Sequence, residues 1–186
     1  AIVGHVLPNS DPVHKVTIIS RGSTGGVTWF LPPEDKNYTS IIEYKDILAR
    51  ALAGRITEKI IYGEDWVTTG AGSDLRKASE LARDMITEQG MGKKLRDQVF
   101  HEDGGNMVFD RMAHDRLYSE ETAKQIDSEI ADLIKEASNR AEAVVKSNRA
   151  LLDKLTQALI KEETLEEEQV EEILKGAVLP KEAKLY

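Results

Sequence analysis

Val67-Thr68-Thr69-Gly70-Ala71-Gly72-Ser73-Asp74-Leu75 is the stretch around which the rest of the chain is organised. It is a Gly-rich turn that runs into the first turn of a helix. Gly70 and Gly72 permit backbone angles and close approaches denied to other residues. Ser73 has the chemistry of an N-cap for the apolar periodicity that begins at Leu75. Asp74 then falls beside backbone N–H groups that lack helical partners. A carboxylate in that position is favoured by the helix dipole by about 0.3–1 kcal/mol. The local pattern therefore supports two readings, a structural cap or a ligand, and leaves both open.

Composition narrows the classes of function. The chain has 186 residues, 40% of them apolar and 31% charged, with a formal net charge of -8. Such a chain can bury a proper core. The acidic balance argues against a nucleic-acid partner, whose phosphates require a basic face. Cysteine is absent, which removes disulfides, thiolate zinc sites and thiol nucleophiles, so any metal must be held by His and carboxylates. No run of about 18 apolar residues occurs to span a bilayer. The sequence opens on Ala1 inside an apolar segment, without Met or a signal-peptide pattern, and is expected to continue upstream.

Outward from the central turn, the pattern predicts mostly helix. Residues 1–7 read as the second half of a buried helix stopped by Pro8, with apolar surface at Ile2, Val3 and Val6 left exposed by the missing half. Lys15 to Ser20 and Val27 to Leu31 read as the two strands of a hairpin, the second closed by Pro32-Pro33 and suited to a sheet edge. Ser40 and Glu43 form a capping-box pattern, and an apolar face runs from Ile41 to Ile60, with Gly54 marking a bend or a close packing contact. Leu75, Ala78, Leu81, Ala82, Met85 and Ile86 repeat at helical spacing, and Gly90 supplies the stop. Met91 to Leu117 is irregular, with a short strand expected around Met107-Val108-Phe109. Ser119 caps a helix of roughly 25–30 residues. A second helix covers Ala150 to Lys161, and Thr164-Leu165-Glu166-Glu167 reads as a capping box opening a third. Glu166-Glu167-Glu168 is read as a solvated first turn. Beyond Gly176 the tail is expected to fray.

The four histidines, His5, His14, His101 and His114, form no HExxH motif, in which two imidazoles on one helix face hold zinc and the Glu acts on bound water. His14, at a strand start, reads as a structural histidine. From the residues alone, function stays open.

Three stretches together resemble the protease domain of FtsH, the membrane-anchored AAA+ zinc metalloprotease family. They are the central turn, Asp11-Pro12-Val13-His14-Lys15-Val16-Thr17-Ile18-Ile19, and Ala53-Gly54-Arg55-Ile56-Thr57-Glu58-Lys59-Ile60-Ile61-Tyr62-Gly63. Ala82 to Met91 and Tyr118 to Ala123 extend the likeness. The fold implied is mainly α with a small β-hairpin or sheet, a peptidase domain over 1–178 followed by a tail over 179–186. The family's HExxH-type motif is expected immediately upstream of Ala1, so the resemblance places no catalytic residue within this chain. Asp74 matches the family's third protein zinc ligand. Gly26, Val27, Thr28, Trp29 and Phe30 match the edge strand that aligns the substrate peptide.

The resemblance further implies ATP-dependent, processive degradation of unfolded or membrane proteins by a homo- or hetero-hexamer, with zinc at the peptidase site and magnesium and ATP in an upstream AAA+ domain. The parent is expected to be membrane-anchored through upstream segments, its peptidase domain on the cytoplasmic or organelle stromal or matrix side. The alternative is a catalytically inactive relative acting in assembly or substrate handling. Lys59, where many relatives carry a second Glu, and Met107-Val108-Phe109-Asp110-Arg111 depart from the family pattern away from Asp74.

Overall fold

A computed structural model describes residues 1–20, 25–32, 38–100 and 118–185. The strand expected around Met107 to Phe109 lies outside the described residues, as do His101 and His114. In chain order the elements are α1 (Ile2–Val6), β1 (Val13–Thr17), β2 (Val27–Phe30), α2 (Ile41–Tyr62), α3 (Gly72–Thr87), α4 (Glu120–Ser147), α5 (Arg149–Glu162), β3 (Thr164–Glu166) and α6 (Glu167–Leu174). Short 3₁₀ turns occupy Glu64–Trp66, Thr69–Ala71 and Lys181–Ala183. The fold is mainly helical with one small antiparallel sheet, as the sequence predicts.

Helices α2, α3 and α4 pack together as the body of the domain. Leu48, Ala49 and Leu52 of α2, Ala78, Ala82, Met85 and Ile86 of α3, and Ala137, Ala141 and Val144 of α4 are all buried in one core. Alanines on three facing helices bring the backbones close, and the larger side chains fill the space between them. α2 opens on the expected capping box: Ser40 N–H donates to Glu43 Oε2 at 2.6 Å and Glu43 N–H to Ser40 Oγ at 3.4 Å. It runs unbroken through Gly54, where an added Cβ would meet nothing within 4 Å, so that glycine serves no close contact. Ser119 caps α4, its hydroxyl accepting from Thr122 N–H.

The sheet order is β2-β1-β3, both pairings antiparallel. The hairpin is as expected; β3 is not. Thr164-Leu165-Glu166 extends along β1, with Leu165 buried opposite Val16, and the capping box shifts to Glu166 and Gln169. Burying Leu165 in the core outweighs the local cap that Thr164 could have made.

Two further expectations are corrected. Ile2 and Val3 are buried, not left exposed, because α1 packs on α2 and α4. The chain after Gly176 is also not frayed. Val178 N–H donates to Asn148 Oδ1 at 2.8 Å, Arg140 Nε donates to the Ala183 carbonyl at 2.9 Å, and the Ala183 side chain is fully buried. A buried arginine supplies the polar partner that holds this segment down.

Arg140 also pairs with Asp46 in the core, where Asp46 accepts from Asn9 N–H and Asn9 Nδ2 at 3.0 and 3.2 Å. Asp46 lies within α2 and Arg140 within α4, so this buried pair links the two longest helices to the tail.

Candidate metal centre and peptide edge

Asp74 lies in the first turn of α3, on the solvent side. Its carboxylate makes no hydrogen bond or ion pair with the described residues. Ser73 is not the N-cap: α3 begins at Gly72 with Ala71 in the cap position and no side-chain cap. The cap chemistry instead lies one turn earlier, at Thr68. Thr68 N–H donates to Glu58 Oε2 at 2.9 Å and Thr68 Oγ1 donates to Glu58 Oε1 at 3.1 Å, while Gly70 N–H donates to Thr68 Oγ1 at 3.2 Å. Glu58 on α2 therefore grips the turn that presents Asp74. Of the two turn glycines, Gly72 has ordinary helical angles (φ -61°, ψ -37°). Only Gly70 is confined, since a Cβ there would lie 3.1 Å from Thr68 Oγ1.

The described residues hold no group of three His, Asp or Glu side chains placed to bind a metal ion. His14 Nδ1 faces Glu167 Oε2 at 3.2 Å and ties β1 to α6, the structural role expected of it. Asp74 fits a metal as one hard oxygen donor with no competing partner among the described residues.

β2 forms one side of the sheet, and no described strand pairs with its outer edge. Leu31 N–H donates to the Pro12 carbonyl at 3.1 Å, and Val27 and Trp29 lie opposite Thr17 and Lys15. Backbone groups alternate in direction along a strand, so those of Thr28 and Phe30 point to the open edge. Val27 and Trp29 are exposed, Trp29 by 52%. Thr28 and Phe30 are half-buried. Gly26 precedes the strand where a Cβ would come within 2.7 Å of the Thr17 carbonyl oxygen, a contact only glycine avoids.

Helix α2 connects the two halves of the site. Arg50 lies against Phe30 and Glu58 holds Thr68. Arg50 and Glu58 lie eight positions apart, which makes about 12 Å of helix. Sequence reasoning singled out Asp74 and the strand as candidates but gave no part to the Glu58, Thr68 and Arg50 side chains that brace them. Their roles depend on neighbours brought in by tertiary packing, which no local spacing encodes.

The domain thus joins, through α2, an exposed carboxylate that is unpaired among the described residues and an edge strand whose outer side no described strand covers. The model of peptidase family M41 matches residues 1–173. The chain is 42% identical over 176 residues to an ATP-dependent zinc metalloprotease FtsH of a Synechococcus strain, covering 94% of this chain and 28% of the relative. Proteins of the same name from Chloroflexus aggregans and Haemophilus influenzae are 44% and 41% identical, each covering 94% of this chain and 27% and 28% of the relative. This chain belongs to peptidase family M41, as an FtsH-type protease domain. It spans under a third of the length of the curated relatives it matches. No described helix is long and apolar enough to cross a membrane.

Proposed function

We propose that this chain supplies one metal ligand and the peptide-aligning strand of an ATP-dependent zinc endopeptidase. The observation that carries the reading is the exposed Asp74 carboxylate, which has no partner among the described residues while the turn that presents it is fixed by Glu58 and Thr68. The other two protein ligands and the general base are the His and Glu residues of an HExxH motif preceding Ala1 in the parent protein. Bound zinc supplies a Lewis acid that polarises the scissile carbonyl and acidifies a water molecule.

The chain's own residues do the rest. Asp74 contributes a negative charge that offsets the metal's, and the N-terminal turn of α3 restrains its position. A substrate peptide pairs with the outward backbone groups of Thr28 and Phe30 and is thereby held extended. Because that pairing reads backbone, it accepts many sequences. Residues Gly26 to Phe30 form this peptide-binding segment. ATP, magnesium, the AAA+ ring, hexamer formation and membrane anchoring belong to the rest of the parent, which feeds unfolded or membrane polypeptides to this domain processively.

The test is peptide hydrolysis by the full-length protein carrying Thr28→Pro. Proline at this position removes one outward N–H and leaves the pairing to β1 intact, a substitution that edge strands tolerate. A several-fold rise in KM with unchanged zinc content is expected. An unchanged KM removes the strand from the proposal. An upstream segment without the His and Glu residues makes the parent an inactive relative that handles substrates or assembles the ring.

A further inference from the structure

We propose that Gly4, Phe30 and Arg50 act as a spacer that sets the distance between the peptide-pairing edge and α1, making them positioning residues for hydrolysis. The inference rests on the peptide-edge reading above and adds what fixes that edge in space.

Phe30 is the last residue of β2, and its ring lies directly on Gly4 of α1. A Cβ at Gly4 would overlap the ring edge, with Phe30 Cζ at 2.9 Å and Arg50 Cδ at 3.1 Å. A face of the same ring is covered by Arg50, whose Cζ is 3.8 Å from the ring centre. Arg50 is in turn fixed by the link between α1 and β1: its Nη1 donates to Ser10 Oγ at 3.1 Å and to Asp11 Oδ2 at 3.5 Å. Strand, helix and link therefore converge on one aromatic ring. Among the described residues β2 has a strand neighbour on one side only, and its other large side chains, Val27 and Trp29, are exposed. The Phe30 contact is the packing that seats this edge strand against α1.

The absence of a side chain at Gly4 lets the ring sit at contact distance from the helix backbone. In the proposed parent α1 continues the metal-binding helix, so the ring sets how far a paired peptide lies from the reacting centre. Attack requires reacting atoms about 3–3.5 Å apart, and a displacement of about 1 Å costs on the order of 100-fold in rate. The backbone groups that pair with the peptide are unaffected by a small shift of the whole strand. The signature is a fall in kcat with little change in KM.

The experiment measures peptide hydrolysis, zinc content and ATPase rate of the full-length protein carrying Gly4→Ala, Phe30→Leu, both together, or Arg50→Met. For Gly4→Ala and for Arg50→Met, kcat should fall by about 10-fold or more with KM within about twofold, zinc content and ATPase rate unchanged. Phe30→Leu should restore much of the rate lost by Gly4→Ala, because the smaller side chain leaves room for the added methyl. In the metal-free protein, Arg50→Met should speed amide exchange at Trp29 and Leu31, whose N–H groups face β1. Strictly additive losses, or a kcat for Arg50→Met within about twofold of the unsubstituted protein, overturn the proposal. If Gly4→Ala fails to fold, Arg50→Met decides alone, because it leaves α1 untouched. Failure of the peptide-edge reading is separate: Thr28→Pro would then leave KM unchanged while Gly4 and Phe30 could still be coupled.

Discussion

Replacing Asp46 by Ala should be among the most damaging single substitutions in this domain. Asp46 is fully buried and accepts from Asn9 N–H, Asn9 Nδ2 and Arg140, whose own side chain is almost wholly buried. Removal leaves a buried guanidinium without its counter-charge, and Arg140 Nη1 already has no hydrogen-bond partner. Breaking such a pair costs about 3–5 kcal/mol, a large part of a typical total of about 5–15 kcal/mol. For a domain of this size each kcal/mol moves Tm by about 2–4 °C, so a drop of about 6–20 °C is expected by circular dichroism. Replacing both partners with apolar residues, Asp46→Leu with Arg140→Met, should recover much of the loss, because no uncompensated charge remains. A loss below about 1 kcal/mol, the value expected of an exposed pair, would refute the reasoning. So would a double variant as unstable as Asp46→Ala.

Thr68→Val removes a hydroxyl that donates to Glu58 and accepts from Gly70 N–H; with Asp74 as a ligand, zinc affinity of the full-length protein should fall about 10- to 100-fold, as for other supports of metal ligands. Equal zinc affinity in a competition titration would separate the turn from the metal. Glu136 should contribute to the acid limb of stability. Burial pushes its carboxyl up, but the Lys45 hydrogen bond, at 2.7 Å, and the charges of Lys45 and Lys93 outweigh this and hold it below its ordinary value of 4.5. Its contribution is therefore full above that value and is lost as pH falls through the lower folded value. Glu136→Gln should flatten the acid limb in urea titrations below pH 4.5, and an unchanged limb would contradict the assignment.

What the sequence made legible followed from period and punctuation. The Ser40 and Ser119 caps, the apolar stripes of α2 and α4 and the hairpin all form from neighbours close in the chain. Thr164 to Glu166 misleads because Thr-x-x-Glu is a good cap motif, while the pairing that wins is with β1, about 150 positions earlier. No local pattern singles out Asp46 or Arg140, because the burial of each depends on a partner 94 residues away. The tail beyond Gly176 offers little local periodicity, and it is held by Asn148 and Arg140 from another helix. In the candidate site Asp74 was visible because a carboxylate in a first turn is a local feature. Glu58 and Arg50 were not, since α2 shows only that they lie on it and not what they face.

The account stands or falls on Asp74 as a metal ligand. The direct measurement is zinc content per subunit of the purified full-length protein, with and without Asp74→Asn, alongside ATPase rate and thermal stability. The account predicts near-stoichiometric zinc in the parent and a large loss in the variant, with ATPase rate and Tm little changed because the side chain is exposed and unpaired. Unchanged zinc content in Asp74→Asn would contradict it and leave Asp74 as a favourable charge at the start of α3.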